Sequence, residues 1–259
     1  MTDILIPLGT GSRHNNLELR FCLRSIEKHL KGIGNIYIVG EKPDFLKNII
    51  HIPFEESSDN NQRANNIYRK ILAGCDYHDY IEEKYNYSQF PTIIRDTCLS
   101  DNFLFMNDDH FLLQDYEAGE FPYYHRGAIV LNDFVSNQPQ YKQYQNTIRK
   151  RFGSDYYDFD VHSPIVLNKK KFIEVFKDLQ WPEYGYAIKT MYSNEMIDRT
   201  NWIMCEDLKF KERVFMKESV YRSLEGRSWW SIGDRCLLVG SKIKEVLEEL
   251  YSKPSKYEL

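Results

Sequence analysis

Ile4-Leu5-Ile6-Pro7-Leu8-Gly9-Thr10-Gly11 stands near the start of the chain, and Asn35-Ile36-Tyr37-Ile38-Val39 follows one helix-length later. Ile4 to Ile6 is a short apolar run closed by Pro7 and Gly9, which predicts a buried strand ending in a loop. Between the two runs, Leu19, Leu23, Ile26 and Leu30 recur at helical spacing. Asn15 or Asn16 stands where a helix cap belongs, and Gly32 and Gly34 stop the helix. Asn35 to Val39 then reads as a second strand, Ile49 to Phe54 as a third, and Ala64, Ile67 and Ile71 as a further helix ending near Gly74. This strand–helix–strand alternation predicts an α/β fold, a mainly parallel central sheet with flanking helices.

Working outward, Asp76 to Ser100 is a mixed, Tyr-rich stretch that reads as partly helical. Phe103-Leu104-Phe105-Met106 is a fully apolar strand that runs straight into Asn107-Asp108-Asp109-His110. Residues 121–160 are rich in Tyr, Asn and Gln and read as an insertion. Asn168 is placed to cap a helix carrying Phe172, Val175, Phe176 and Leu179 on one face, and Ile243, Val246, Leu247 and Leu250 mark a last amphipathic helix.

Composition narrows the classes. The charge balance of 34 basic against 38 acidic residues gives −4, which offers nucleic acid no basic surface. Hydrophobic residues at 42% and aromatics at 15% exclude a disordered chain. The five cysteines are odd in number and widely spaced, without a CxxC, so neither a disulfide framework nor a structural zinc site is expected. No transmembrane segment or signal peptide is read from the sequence, and a reducing, cytoplasmic location is expected.

Four constellations carry chemistry. At the carboxyl end of a strand in an open α/β sheet, where ligands bind, Asp108 and Asp109 have the oxygen ligands that Mn²⁺ or Mg²⁺ prefers; Asn-Asp-Asp is equally good turn chemistry. Arg20 and Arg24 lie one helical turn apart below Arg13, a set whose forks suit phosphate or, alternatively, a solvated helix face. Gly9-Thr10-Gly11 has neither the Gly-Lys-Ser/Thr of a P-loop nor the spacing of a dinucleotide fold. His162 follows Asp160 by two residues, so a carboxylate there would orient an imidazole able to act as a base; a histidine with no chemistry is the plainer reading. Trp229 and Trp230, five and four residues before Asp234, suit the apolar face of a sugar, or the core.

Taken in order, these regions resemble the Stealth proteins, sugar-phosphate transferases that use nucleotide-sugar donors. The family's Glu-Leu-Arg and Leu-Arg-Ser-Ile pattern is matched by Glu18, Leu19, Arg20, Leu23, Arg24, Ser25 and Ile26. Its acidic motif is matched by Asn107, Asp108 and Asp109, its His-x-Pro by His162 and Pro164, and its ending by Asp234 and by Pro254 to Glu258. The family's Trp-Val-Asp-Gly type motif is replaced here by Pro7-Leu8-Gly9-Thr10-Gly11.

The resemblance implies a single catalytic domain over 1–259 with an A-type nucleotide-sugar glycosyltransferase fold, residues 121–160 lying on the acceptor side. It implies Mn²⁺ or Mg²⁺ on Asp108 and Asp109, with Pro7, Gly9, Arg13, Arg20, Arg63 and Asp108 around the donor. His162, Asp234 and Asp109 would be catalytic, and Trp229 and Trp230 would meet the acceptor. The implied partners are a nucleotide-sugar donor and a glycan or other hydroxyl acceptor, in surface polysaccharide synthesis. A plain A-type glycosyltransferase that releases nucleoside diphosphate and a non-catalytic carbohydrate- or partner-binding module are the competing readings.

Overall fold

A computed structural model of the chain describes residues 1–10, 12–55, 63–75, 99–128, 139–180 and 184–259. The main sheet is built from β1 (Thr2–Leu8), β3 (Ile33–Gly40), β4 (Ile50–Ile52), β5 (Asn102–Phe105) and β9 (Ile165–Asn168), with β2 (Leu30–Lys31) lying outside it. Its order is β4-β3-β1-β5-β9. β1 runs parallel to β3 and β5, β3 runs parallel to β4, and β9 alone is antiparallel, on the edge beside β5. The expected α/β fold with a mainly parallel sheet is therefore present.

Both faces of the sheet are covered, which is why its strands are apolar throughout rather than alternating. Ile4, Ile6, Leu8, Ile36, Ile38, Leu104 and Met106 pack on one side with Leu19, Leu23 and Ile26 of α1 (Leu17–His29). Leu5, Tyr37, Val39, Phe103 and Phe105 pack on the other with α2 (Arg63–Gly74) and with Phe172 and Phe176. Asp3 ties three strands at their amino ends: Oδ1 accepts from the backbone N–H of Asn35 at 2.7 Å and Oδ2 from that of Ser100 at 2.8 Å.

A smaller sheet extends the domain on the α1 side. It joins β6 (His110–Leu112), β12 (Trp229–Ile232) and β11 (Lys209–Phe210) in the order β11-β12-β6. β7 (Tyr116–Glu117) pairs with β2, and β8 (Tyr123–His125) with β10 (Trp202–Met204). α3 (Pro139–Phe152), α4 (Lys169–Phe176), α5 (Ile188–Met196), α6 (Lys217–Leu224) and α7 (Lys242–Leu250) complete the described helices.

The Asn168 cap is borne out, its side chain accepting from Lys171 N at 3.1 Å, and the apolar face of the last helix is buried as expected. The first helix differs. Asn15 and Asn16 both take left-handed backbone at φ 53, and Asn16 makes no side-chain cap. Ser12 serves instead, its Oγ accepting from Asn16 N at 2.8 Å and from His14 N at 3.3 Å. Asn is among the few residues that adopt this backbone readily. Leu30 falls outside the helix because it pairs with Tyr116. The stretch 76–98 lies outside the described residues, and so does 129–138 within the expected insertion. The rest of that insertion contributes β8 and α3, with Tyr144, Ile148, Tyr156 and Phe159 buried.

Candidate functional site

The carboxyl end of β5 delivers the acidic motif. Met106 N still donates to Leu5 O at 3.1 Å, and the chain then turns, His110 N donating to Asn107 O at 3.3 Å. Asp108 and Asp109 are the middle residues of this turn, so the turn reading of Asn-Asp-Asp is correct as local structure. His110 opens β6 and is buried completely. Its Nδ1 accepts from Asn107 N at 3.3 Å, and burial pushes its pKa well down, so the ring is neutral.

α1 faces this turn along one side only. Cys22 Sγ donates to Asn107 O at 3.5 Å, and Glu18, one turn earlier, lies within electrostatic reach of Asp109, Asp234 and His14. Burial, seconded by the Asp234 and Asp109 carboxylates, raises the Glu18 pKa and draws that group toward its neutral form. Arg20 and Arg24 each follow by two residues, about 200° further round the helix. They point to the opposite side and grip Glu258: Arg24 Nε to Oε1 and Nη2 to Oε2, each 2.8 Å, and Arg20 Nη1 to Oε2 at 3.2 Å. The expectation that Arg20 meets donor phosphates is therefore corrected. Its charge is committed to a carboxylate whose side chain is 1% exposed.

His162 is brought to the acidic turn. Its ring lies within electrostatic reach of both Asp109 and His110. The carboxylate that orients it is Asp207 and not Asp160: His162 Nδ1 lies 2.7 Å from Asp207 Oδ2, and His162 N donates to Oδ1 at 2.9 Å. Burial opposes ionisation of Asp207, but the bonds and charge of His162, with the charge of Arg126, outweigh it and lower the pKa to about 2. Lys189 braces the same loop, bonding the backbone oxygens of Val161 and Ser163 on either side of His162. No sequence spacing pairs Asp207 with His162, since 45 residues separate them.

The other expected residues divide. Asp234 is exposed in a 3₁₀ turn, and its backbone oxygen lies 2.9 Å from His14 Nε2 of the loop before α1. Gly9 and Arg13 are exposed in the loop beyond β1, whereas Pro7 is buried inside β1 opposite Val39. Arg63 opens α2, its side chain lying outside the described residues. Trp229 and Trp230 are core residues, 5% and 0% exposed, which removes them as a platform for an acceptor. Trp230 packs between Phe111 and Phe210, and Trp229 stacks on Tyr124 at 4.1 Å. β12 is the middle strand of the small sheet, and both of its faces are covered.

Asp109, one of the two expected ligands, does not itself suit a divalent cation. Asp109 Oδ2 holds Lys209 Nζ at 2.8 Å, and the lysine charge depresses the Asp109 pKa against the effect of burial. Oδ1 is buried without a hydrogen-bond partner, 3.8 Å from His110 Nε2. Among the described residues no group of three His, Cys, Asp or Glu side chains is placed to hold a metal ion. At 4 Å and an effective dielectric of 20, each unit charge of a cation would be repelled by the ammonium by about 4 kcal/mol. Two surface hollows of about 410 Å³, one along α3 and one between Leu113 and α6, lie away from these groups. Among the described residues, no helix is long and apolar enough to cross a membrane.

The sequence matches no family model and no curated protein sequence. Among solved structures, the galactosyltransferase LgtC in complex with donor and acceptor sugar analogues aligns over 99% of both chains at 14% identity, with a TM-score of 0.44. Mouse xyloside xylosyltransferase 1, apo form, aligns over 89% of this chain and 96% of its own at 8% identity, with a TM-score of 0.37. At these scores the likenesses establish neither activity nor substrate.

Proposed function

We propose that the chain is a single-domain transferase of the A-type nucleotide-sugar glycosyltransferase kind, moving a sugar or sugar phosphate from a nucleotide-sugar donor to a hydroxyl acceptor. The observation that carries this reading is His162, held by Asp207 through two hydrogen bonds and within electrostatic reach of Asp109, whose turn follows the carboxyl end of a parallel strand. The ordered resemblance to the Stealth proteins supports the same class and gives surface polysaccharide synthesis as its setting.

In this reading Asp207 Oδ2 accepts the Nδ1–H of His162, which leaves the Nε2 lone pair for an acceptor hydroxyl. The hydroxyl oxygen bonds to the anomeric carbon, its proton passes to Nε2, and the carbon–oxygen bond to the diphosphate breaks with its electron pair on the leaving phosphate. In the sugar-phosphate version the attack falls on the β-phosphorus and nucleoside monophosphate leaves. On this reading Gly9, Arg13 and Arg63 serve the donor, and Asp234 serves the reacting groups. Incubation with a panel of nucleotide sugars and simple glycan acceptors, with the released nucleotide identified by ³¹P NMR, tests this. Diphosphate release assigns sugar transfer, monophosphate release assigns sugar-phosphate transfer, and neither binding nor release across the panel sinks the proposal.

A further inference from the structure

We infer that Lys209 takes the place of the divalent cation, so that this site binds a nucleoside diphosphate without a metal; the inference rests on the transferase reading above. Asp109 and Lys209 are not two surface side chains that happen to meet. Asp109 immediately precedes β6, Lys209 lies in β11, and both strands are hydrogen-bonded to β12, with Ser231 opposite both His110 and Lys209. One three-stranded sheet therefore fixes the pair in register.

The ammonium and the carboxylate are each about four-fifths shielded, with side-chain exposures of 19% and 17%. His162 lies within electrostatic reach of the same carboxylate. A metal on Asp109 would have to expel Lys209 from Oδ2 or reach the buried Oδ1. An ammonium has three N–H donors, and Asp109 engages one of them. The others are free in kind to donate to phosphate oxygens, the role that a cation fills in bridging a diphosphate. Asp109 is then a positioning residue: it holds Lys209 where charge develops on the leaving phosphate, and no step passes through a metal ion.

Thermal shift and calorimetry on the full chain test this with UDP, CDP, GDP and ADP as probes, each in excess EDTA and in excess Mn²⁺. The expected result is a nucleoside diphosphate whose affinity is the same in both conditions, within about twofold. Lys209→Ala then weakens it by roughly tenfold or more in both, and Lys209→Arg restores part of the loss. Mn²⁺ EPR of the wild-type chain without nucleotide should show only free ion. Binding that requires Mn²⁺, or a folded Lys209→Ala that binds as the wild type does, overturns the inference and leaves the transferase reading standing. If no diphosphate binds in either condition, the transferase reading falls and the inference falls with it. Circular dichroism confirms that each variant is folded, and Lys209→Met, which keeps the apolar stem, replaces the alanine variant if that one is not.

Discussion

Arg24 and Glu258 form a two-pronged ion pair across 234 residues, with both N–O distances at 2.8 Å. Glu258 also accepts from the backbone N–H and hydroxyl of Ser255 at 2.9 and 3.0 Å, closing a turn on itself. The penultimate residue of the chain is thus clamped to the first helix, and the Arg face of α1 is structural. The opposite face, with Glu18 and Cys22, looks toward the acidic turn.

Glu258→Ala should therefore destabilise the fold. Removing one partner of a largely buried pair leaves the other charge uncompensated, at about 3 kcal/mol. For a chain of this size that lowers the melting temperature by roughly 6–12 °C. Arg20→Ala should cost less, since its guanidinium is 31% exposed, and should leave nucleotide affinity unchanged in calorimetry. A selective loss of nucleotide affinity would return Arg20 to the donor site.

His162→Asn should bind the nucleotide sugar normally and turn over more slowly by roughly 10²- to 10⁴-fold, the usual contribution of a positioned base. Asp207→Asn should give a smaller loss in kcat with KM for donor preserved, because the imidazole remains but its tautomer is no longer fixed. Steady-state kinetics on both variants separate these outcomes from a general loss of structure.

Asp207 also predicts a pH dependence of stability. Its pKa is lowered in the folded state from 3.8 to about 2, so the unfolded chain binds the proton more readily. The stabilisation is fully present above about pH 4 and disappears as the pH falls toward 2. Urea titrations of wild type and Asp207→Asn should differ by about 2 kcal/mol at neutral pH and converge in acid. Curves that stay parallel down to pH 2 would contradict the assignment.

Trp230→Ala should cost roughly 3–5 kcal/mol, as expected for a large aromatic side chain removed from a packed core. The indole has no exposed surface, and its Nε1 donates to Tyr251 OH at 3.4 Å. Denaturant unfolding measures the loss. A variant as stable as the wild type would restore the possibility of an acceptor-facing ring.

Local pattern was enough for the first strands and helices and for the mainly parallel sheet they form. Apolar runs such as Ile4–Ile6 and Phe103–Met106 have no polar face to offer water, so they become strands covered on both sides. The 3.6-residue period of Leu19, Leu23 and Ile26 makes a helix over one of those faces, and an acidic turn directly after an apolar strand falls at its carboxyl end. What tertiary structure alone decided is which charges meet. In sequence Arg20 and Arg24 suit phosphate or a solvated helix face, yet Glu258 claims them. Asp160 is near His162 in sequence, yet Asp207 reaches it in space. Lys209, 100 residues from Asp109, neutralises it because two strands of one small sheet bring them together. Helical and strand periods are local consequences of backbone geometry, whereas ion pairing follows from where distant segments are packed. The function of a charged side chain is therefore set by a partner that its own neighbourhood in the sequence does not contain.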